Sequence, residues 1–309
     1  MADRIFEGVL PALVTPFRED ERIDFGVWQA IIDRLIAARV DGLFVCGSQG
    51  EFCALSNEER RVALRFCRQA AAGRVPVYGN VGAVTTAESV ELAQAAQSAG
   101  VDVIVVVTPY YIKPTQQELA DHYIEVCRAV NLPVMAYNYP LHGGVDLAAE
   151  TLGRIASVCE NLIGVKDSSG RLEQALAYLE CAPGRRLAVF EAYDNLILPA
   201  LEKGCAGTVT ASANLCPKLF VDLYRAHREG RREEAARLQS LATEVGEIHG
   251  LHPFPVPMKE ALRMAGMPVG NCRRPLRPMP PEGRQRLAAI LERLRAEKYL
   301  PGAGSIVAA

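Results

Sequence analysis

Asn161-Leu-Ile-Gly-Val-Lys166-Asp-Ser-Ser-Gly170 is an apolar run that ends in a lysine and then breaks into small polar residues. A short continuous run of this kind reads as a buried strand that delivers Lys166 to its carboxyl end. Burial disfavours an ammonium ion and can lower a lysine pKa by roughly 3 to 5, exposing a neutral amine that attacks carbonyl carbon and forms a Schiff base. The plainer alternative is a structural lysine paired with Asp167. The surroundings of the run separate the two.

Working outward, eight β-rich runs recur, at 8–15, 41–46, 75–81, 101–108, 132–137, 162–166, 187–191 and 207–211. Amphipathic helical segments lie between them, at 25–38, 57–72, 87–99, 116–130, 148–158, 172–181 and 194–202. Ser56 with Glu59 makes a capping box, and Thr85 or Thr86 stands ahead of Glu88 as a cap. Strand and helix alternate, and the strands are continuously apolar rather than in-out alternating. That pattern predicts an α/β chain closed into a (β/α)8 TIM barrel. An open doubly wound sheet is the competitor, but no GxGxxG opens the first helix, and Gly79-Asn-Val-Gly82 is no nucleotide fingerprint. After Asn214 the pattern is purely helical, at 217–229, 232–249, 257–265 and 282–298. The organisation predicted is a barrel carrying the active site over 1–214, a C-terminal helical appendage over 215–300 and a flexible tail over 301–309.

The 309 residues are half hydrophobic and carry a net charge of −2, which supplies one large core and no electrostatic field for nucleic acid. The N-terminus lacks a signal-like apolar core, and the longest apolar stretch, 103–107, is far too short to span a bilayer. A cytoplasmic protein that binds neither membrane nor nucleic acid is expected. The nine cysteines form no CxxC pair and sit mostly among apolar neighbours, as small core residues would in a reducing compartment.

In a TIM barrel, chemistry gathers at the carboxyl ends of the strands. Those ends hold Gly47-Ser48-Gln49-Gly50-Glu51, Thr108-Pro109-Tyr110-Tyr111, Tyr137-Asn138-Tyr139-Pro140, Lys166-Asp167-Ser168, Tyr193-Asp194 and Thr208-Val209-Thr210-Ala211-Ser212. An amine, phenols, hydroxyls and a glycine turn able to aim backbone N–H groups at an anion meet at one mouth. In order and spacing, the GxxGE turn, TPYY, YNxP and KDSSG resemble the pyruvate-dependent class I aldolases, the family of dihydrodipicolinate synthase, N-acetylneuraminate lyase and the 2-keto-3-deoxy-acid aldolases. The resemblance runs from Phe6 to Leu294.

The resemblance implies that Lys166 forms the Schiff base with pyruvate and that Tyr137 relays protons through Ser48. It implies further that Tyr111 is lent across a dimer interface within a homo-oligomer, a dimer of dimers. Gly47, Gln49 and Gly50 would hold the 2-oxo acid's carboxylate beside Val209, while Ser168, His142 and Asp194 would meet the rest of the substrate. No metal or other cofactor is implied. Dihydrodipicolinate synthases that resemble this chain carry two threonines in the turn and an arginine after the YNxP proline; here Ser48, Gln49 and His142 stand there. N-acetylneuraminate lyases resemble it at Ser48 and Tyr193-Asp194, yet Asn195 and Ala211 replace their sugar-binding glutamate and serine. Gly-Ser-Gln-Gly-Glu-Phe and Gly270-Asn-Cys-Arg-Arg-Pro-Leu are closer to 4-hydroxy-2-oxoglutarate and 2-keto-3-deoxy sugar-acid aldolases.

The reading is thus a lyase cleaving a 4-hydroxy-2-oxo acid to pyruvate and an aldehyde. Its alternatives are the synthase reaction with aspartate semialdehyde, a 2-keto-3-deoxy-acid dehydratase, and a non-catalytic 2-oxo-acid binder. Tyr110 and Tyr139 are expected as packing residues, and Glu51 as a capping or packing carboxylate. His249 and His252 have no third ligand type nearby and are not expected to bind metal. Arg273, Arg274 and Arg277 are expected on a solvated or inter-subunit face.

Overall fold

The computed structural model describes residues 6–301. The tail beyond Pro301, expected to be without structure, lies outside them. Eight strands, β1 (Gly8–Pro11), β2 (Leu43–Val45), β3 (Val77–Asn80), β4 (Val103–Val107), β5 (Val134–Asn138), β6 (Leu162–Asp167), β7 (Ala188–Glu191) and β8 (Gly207–Thr210), form one parallel sheet. Its order is β1-β8-β7-β6-β5-β4-β3-β2, and the Ala12–Phe44 bridge joins the two ends. The chain is therefore a (β/α)8 TIM barrel. Val103–Val107 is buried at all five positions, as a strand needs when side chains fill the barrel on one face and helices cover the other.

The covering helices are α1 (Phe25–Ala37), α2 (Asn57–Ala71), α3 (Thr86–Ser98), α4 (Gln116–Arg128), the single turn α5 (Pro140–Gly143), α6 (Ala149–Val158), α7 (Leu172–Glu180) and α8 (Ile197–Glu202). Ser56 closes the expected capping box with Glu59, and Thr85 is the cap that takes the Glu88 amide. A second box, Thr115 with Glu118, starts α4. The sequence reading missed α5, a turn too short to show periodicity. It also merged into one helix the 3-10 turn Asp194–Leu196 and α8.

Beyond the barrel come α9 (Pro217–Arg228), α10 (Arg232–Gly246), α11 (Val256–Met264) and α12 (Pro281–Ala296). The 3-10 turn Glu247–Gly250 follows α10 where one continuous helix was expected. No helix among the described residues is long and apolar enough to cross a membrane. Seven of the nine cysteines are buried; Cys53 is exposed and Cys181 half-buried.

Strand β6 explains the placement of the lysine. Val134 pairs with Leu162 and Met135 with Gly164, so Ile163 is an extra residue that resets the alternation of the strand. From there Lys166 pairs with Tyr137, and Asp167 with Asn138. Laterally paired residues share a face and successive residues oppose, so Lys166 and Tyr137 point one way, Asp167 and Asn138 the other. Gly164 is required in this strand, because a Cβ there would lie 2.0 Å from the Ala188 carbonyl oxygen of β7.

Candidate active site

Lys166 is 4 % exposed. Burial alone lowers its pKa from 10.5 to about 7. Its Nζ stands 4.0 Å from the ring centre of Tyr137 and 4.4 Å from that of Phe44, so aromatic faces rather than a carboxylate surround it. The alternative of a Lys166–Asp167 pair is not realised. Asp167 faces away from the lysine, and its carboxylate accepts from Asn138 Nδ2 (3.1 Å) and Ser169 Oγ (2.7 Å).

Tyr137 is buried, with Phe44 edge-on to it at 5.8 Å. Desolvation pushes the phenol up to about 12, while hydrogen bonds from Ser48 and Ser168 pull against that rise. The Tyr137 hydroxyl lies 3.2 Å from Ser48 Oγ. A neutral phenol beside a second hydroxyl can pass a proton in either direction without holding charge, which is what a relay requires.

These groups open into a cavity of about 500 Å³, whose wall includes Ser48, Gln49, Tyr137, Lys166, Ser168 and Val209. His142, Asp194, Asn195 and Ala211 line it as well. Asp194 is buried, its two oxygens accepting from Thr210 Oγ1 and Ser212 Oγ, each at 2.5 Å, and burial raises its pKa. Gly47 and Gly50 are not in the wall. They sit behind it, against the Phe44 ring and the Leu13 carbonyl, and shape the turn that presents Ser48 and Gln49. Tyr111 lies away from this cavity, 94 % exposed and with a φ of 73°.

The structure corrects two expectations. Tyr139 packs as expected but does not point away from the mouth: two positions after Tyr137, it stacks on that residue at 5.9 Å and lines the cavity. Arg273 is not solvated; its guanidinium takes the Ala54 and Glu21 carbonyls, pairs with Glu59 and covers the Phe17 ring at 4.6 Å. Arg274 and Arg277 are exposed as expected.

His249 joins the cavity wall with Thr243, Glu247 and Phe254, all C-terminal to the barrel. Its Nε2 is 3.1 Å from Ser212 Oγ. A continuous aromatic wall runs from Tyr137 to Tyr139, His142, Phe254 and His249, with successive ring centres 4.6 to 6.1 Å apart. Nothing local in the sequence marks His249 or Phe254, since the helical pattern that carries them comes after the last strand.

Residues 5–294 match the family model described as the dihydrodipicolinate synthetase family. The chain belongs to that family. The family's members are lyases and synthases that make or break carbon–carbon bonds. A 4-hydroxy-tetrahydrodipicolinate synthase from Nitratidesulfovibrio vulgaris is 35 % identical over 286 residues, 93 % of this chain and 97 % of the relative. A probable 2-dehydro-3-deoxy-D-pentonate aldolase, YjhH of Escherichia coli, is 35 % identical over 290 residues, 93 % and 96 % of the two chains. The synthase name recurs among other relatives at 31 to 34 % identity. Among solved structures, YagE, a dihydrodipicolinic acid synthase family protein of E. coli K12 in complex with pyruvate, superimposes with a TM-score of 0.91. It is 34 % identical, and the match covers 94 % of this chain and 99 % of that one. The sequence-level resemblance and the barrel therefore agree with the family.

Proposed function

We propose that this family member is a Schiff-base aldolase that cleaves a 4-hydroxy-2-oxo acid with an uncharged, hydroxylated tail into pyruvate and an aldehyde. The neutral Lys166 amine adds to C2 of the oxo acid, and loss of water gives an iminium. Tyr137, left as a phenolate by giving its proton to the departing water and held by the Ser48 hydroxyl, takes the C4 hydroxyl proton as the C3–C4 electrons move into the iminium. This leaves an enamine and frees the aldehyde. Protonation at C3 and hydrolysis release pyruvate and restore the amine. The only covalent partner is the lysine itself, so the proposed cycle calls on no further cofactor. The backbone of the turn through Ser48 and Gln49 would hold the carboxylate beside Val209, and Tyr111, exposed on its own subunit, would complete the site of a second copy.

The observation that carries the choice of substrate is the lining of the cavity. Among the described residues it includes no arginine: His142 lines it where, by the resemblance, related synthases carry an arginine for a second carboxylate, and Asp194 and Glu247 are acidic. A carboxylate tail meets repulsion there, whereas hydroxyls find acceptors. A second reading, condensation of pyruvate with aspartate semialdehyde, is favoured by the names that most of the relatives bear. Coupled pyruvate assays with 2-keto-3-deoxygluconate, a 2-keto-3-deoxypentonate and 4-hydroxy-2-oxoglutarate, beside a condensation assay with aspartate semialdehyde, separate the two. Faster turnover in the condensation assay than with any of the three acids would reverse the choice.

A further inference from the structure

Glu51 closes the glycine turn in a left-handed conformation, φ 57° and ψ 37°, which few non-glycine residues adopt without support. The support comes from the far end of the chain. Glu51 Oε1 lies 2.5 Å from Lys259 Nζ on α11, with both side chains almost wholly buried. Glu51 Oε2 accepts from the Arg273 amide at 2.9 Å. Lys259 is itself held, 4.0 Å over the Phe17 ring and donating to the Asn271 carbonyl at 3.1 Å. On the other side of the turn, Gln49 Nε2 donates to the Pro255 carbonyl at 3.2 Å, one residue before α11. Both flanks of the segment that presents Ser48 and Gln49 to the cavity are thus tied to the region around α11.

A buried ion pair is a poor device for stability alone, because desolvating two charges costs about what their attraction returns. It is a good device for fixing one geometry. Resting on the reading of this turn as the carboxylate cradle, we infer that Lys259 is a positioning residue for pyruvate. Through Glu51 it holds the backbone of the turn at the spacing that a 2-oxo acid's carboxylate requires, without touching the ligand. The C-terminal helices thereby set affinity at a site built on barrel strands.

The test measures borohydride capture of pyruvate on Lys166 against pyruvate concentration, with thermal melting followed in parallel. In Lys259→Met, which keeps length and removes charge, half-maximal capture should need at least about tenfold more pyruvate while the plateau of labelling is unchanged. Glu51→Gln, which keeps the acceptor for the Arg273 amide, provides the same comparison if the methionine variant does not fold. A folded variant whose melting temperature drops but whose half-saturation matches the wild type overturns the proposal and leaves Lys166 in place. Wild-type protein that captures no pyruvate overturns the Schiff-base reading, and this inference with it.

Discussion

Replacing Lys166 by methionine should abolish imine formation and, at neutral pH, make the fold more stable. Methionine matches the length of the lysine stem and tolerates an apolar site. The fall of the Lys166 pKa from 10.5 to about 7 corresponds to about 5 kcal/mol, at ~1.4 kcal/mol per tenfold change in an equilibrium. A gain of about 4 to 5 kcal/mol at pH 7 is expected for the variant.

The sign of the pH dependence follows from proton counting. Between pH 7 and 10.5 the unfolded chain keeps a proton on this lysine that the native state has shed, so wild-type stability rises with pH across that window. The methionine variant lacks this slope. Its advantage should be full below pH 7 and vanish towards pH 10.5. Urea unfolding followed by circular dichroism at pH 6.5, 8.5 and 10, at one protein concentration, reads both quantities. A methionine variant no more stable than wild type at pH 6.5, or an advantage that does not shrink as pH rises, would refute the assignment of a desolvated, nearly neutral amine.

Imine capture by the wild type should itself rise with pH and level off above about 7, as the amine loses its proton; a flat profile from pH 5 to 9 would contradict this. Tyr137→Phe should lower turnover by roughly 10² or more while borohydride still traps pyruvate, and near-normal turnover would remove Tyr137 from the relay. Glu191, buried near Asp167 and pushed up to about 8, makes wild-type stability fall as pH rises from about 4.5 to 8, because there the native state keeps a proton the unfolded chain has lost. In Glu191→Gln a pH series of unfolding curves should show a shallower fall, since Asp167 and Asp194 are raised as well, and an unchanged slope would show that Glu191 is not titrating there. His142→Arg should improve condensation with aspartate semialdehyde at least about tenfold, for a guanidinium can pair twice with a carboxylate; kinetics indifferent to the change would place the substrate's tail elsewhere.

Much of the barrel was legible from local pattern. Each strand is an apolar run bounded by turn residues, the principal helices carry their own periodicity, and α1 to α4 carry their own side-chain caps, so neither depends on a distant partner. Lys166, Tyr137 and Ser48 were legible for a related reason: strand ends converge in any closed parallel barrel, and their order along the chain specifies which ends meet. Tyr139 was misjudged although its spacing from Tyr137 contained the answer, since residues two apart on a strand look the same way. His249, Phe254 and the Glu51–Lys259 pair had no such local mark.

What the amino-acid order determined alone was therefore the α/β barrel and the position of a lysine at its mouth, because short-range periodicity and strand polarity dictate both. Only the tertiary structure decided which helices close the cavity, which carboxylate steadies the glycine turn, and that Asp167 faces away from Lys166. These depend on one inserted residue in β6 and on contacts between segments far apart in the chain. Such contacts are selected by packing and by the cost of leaving a buried charge without a partner, and no local pattern encodes them.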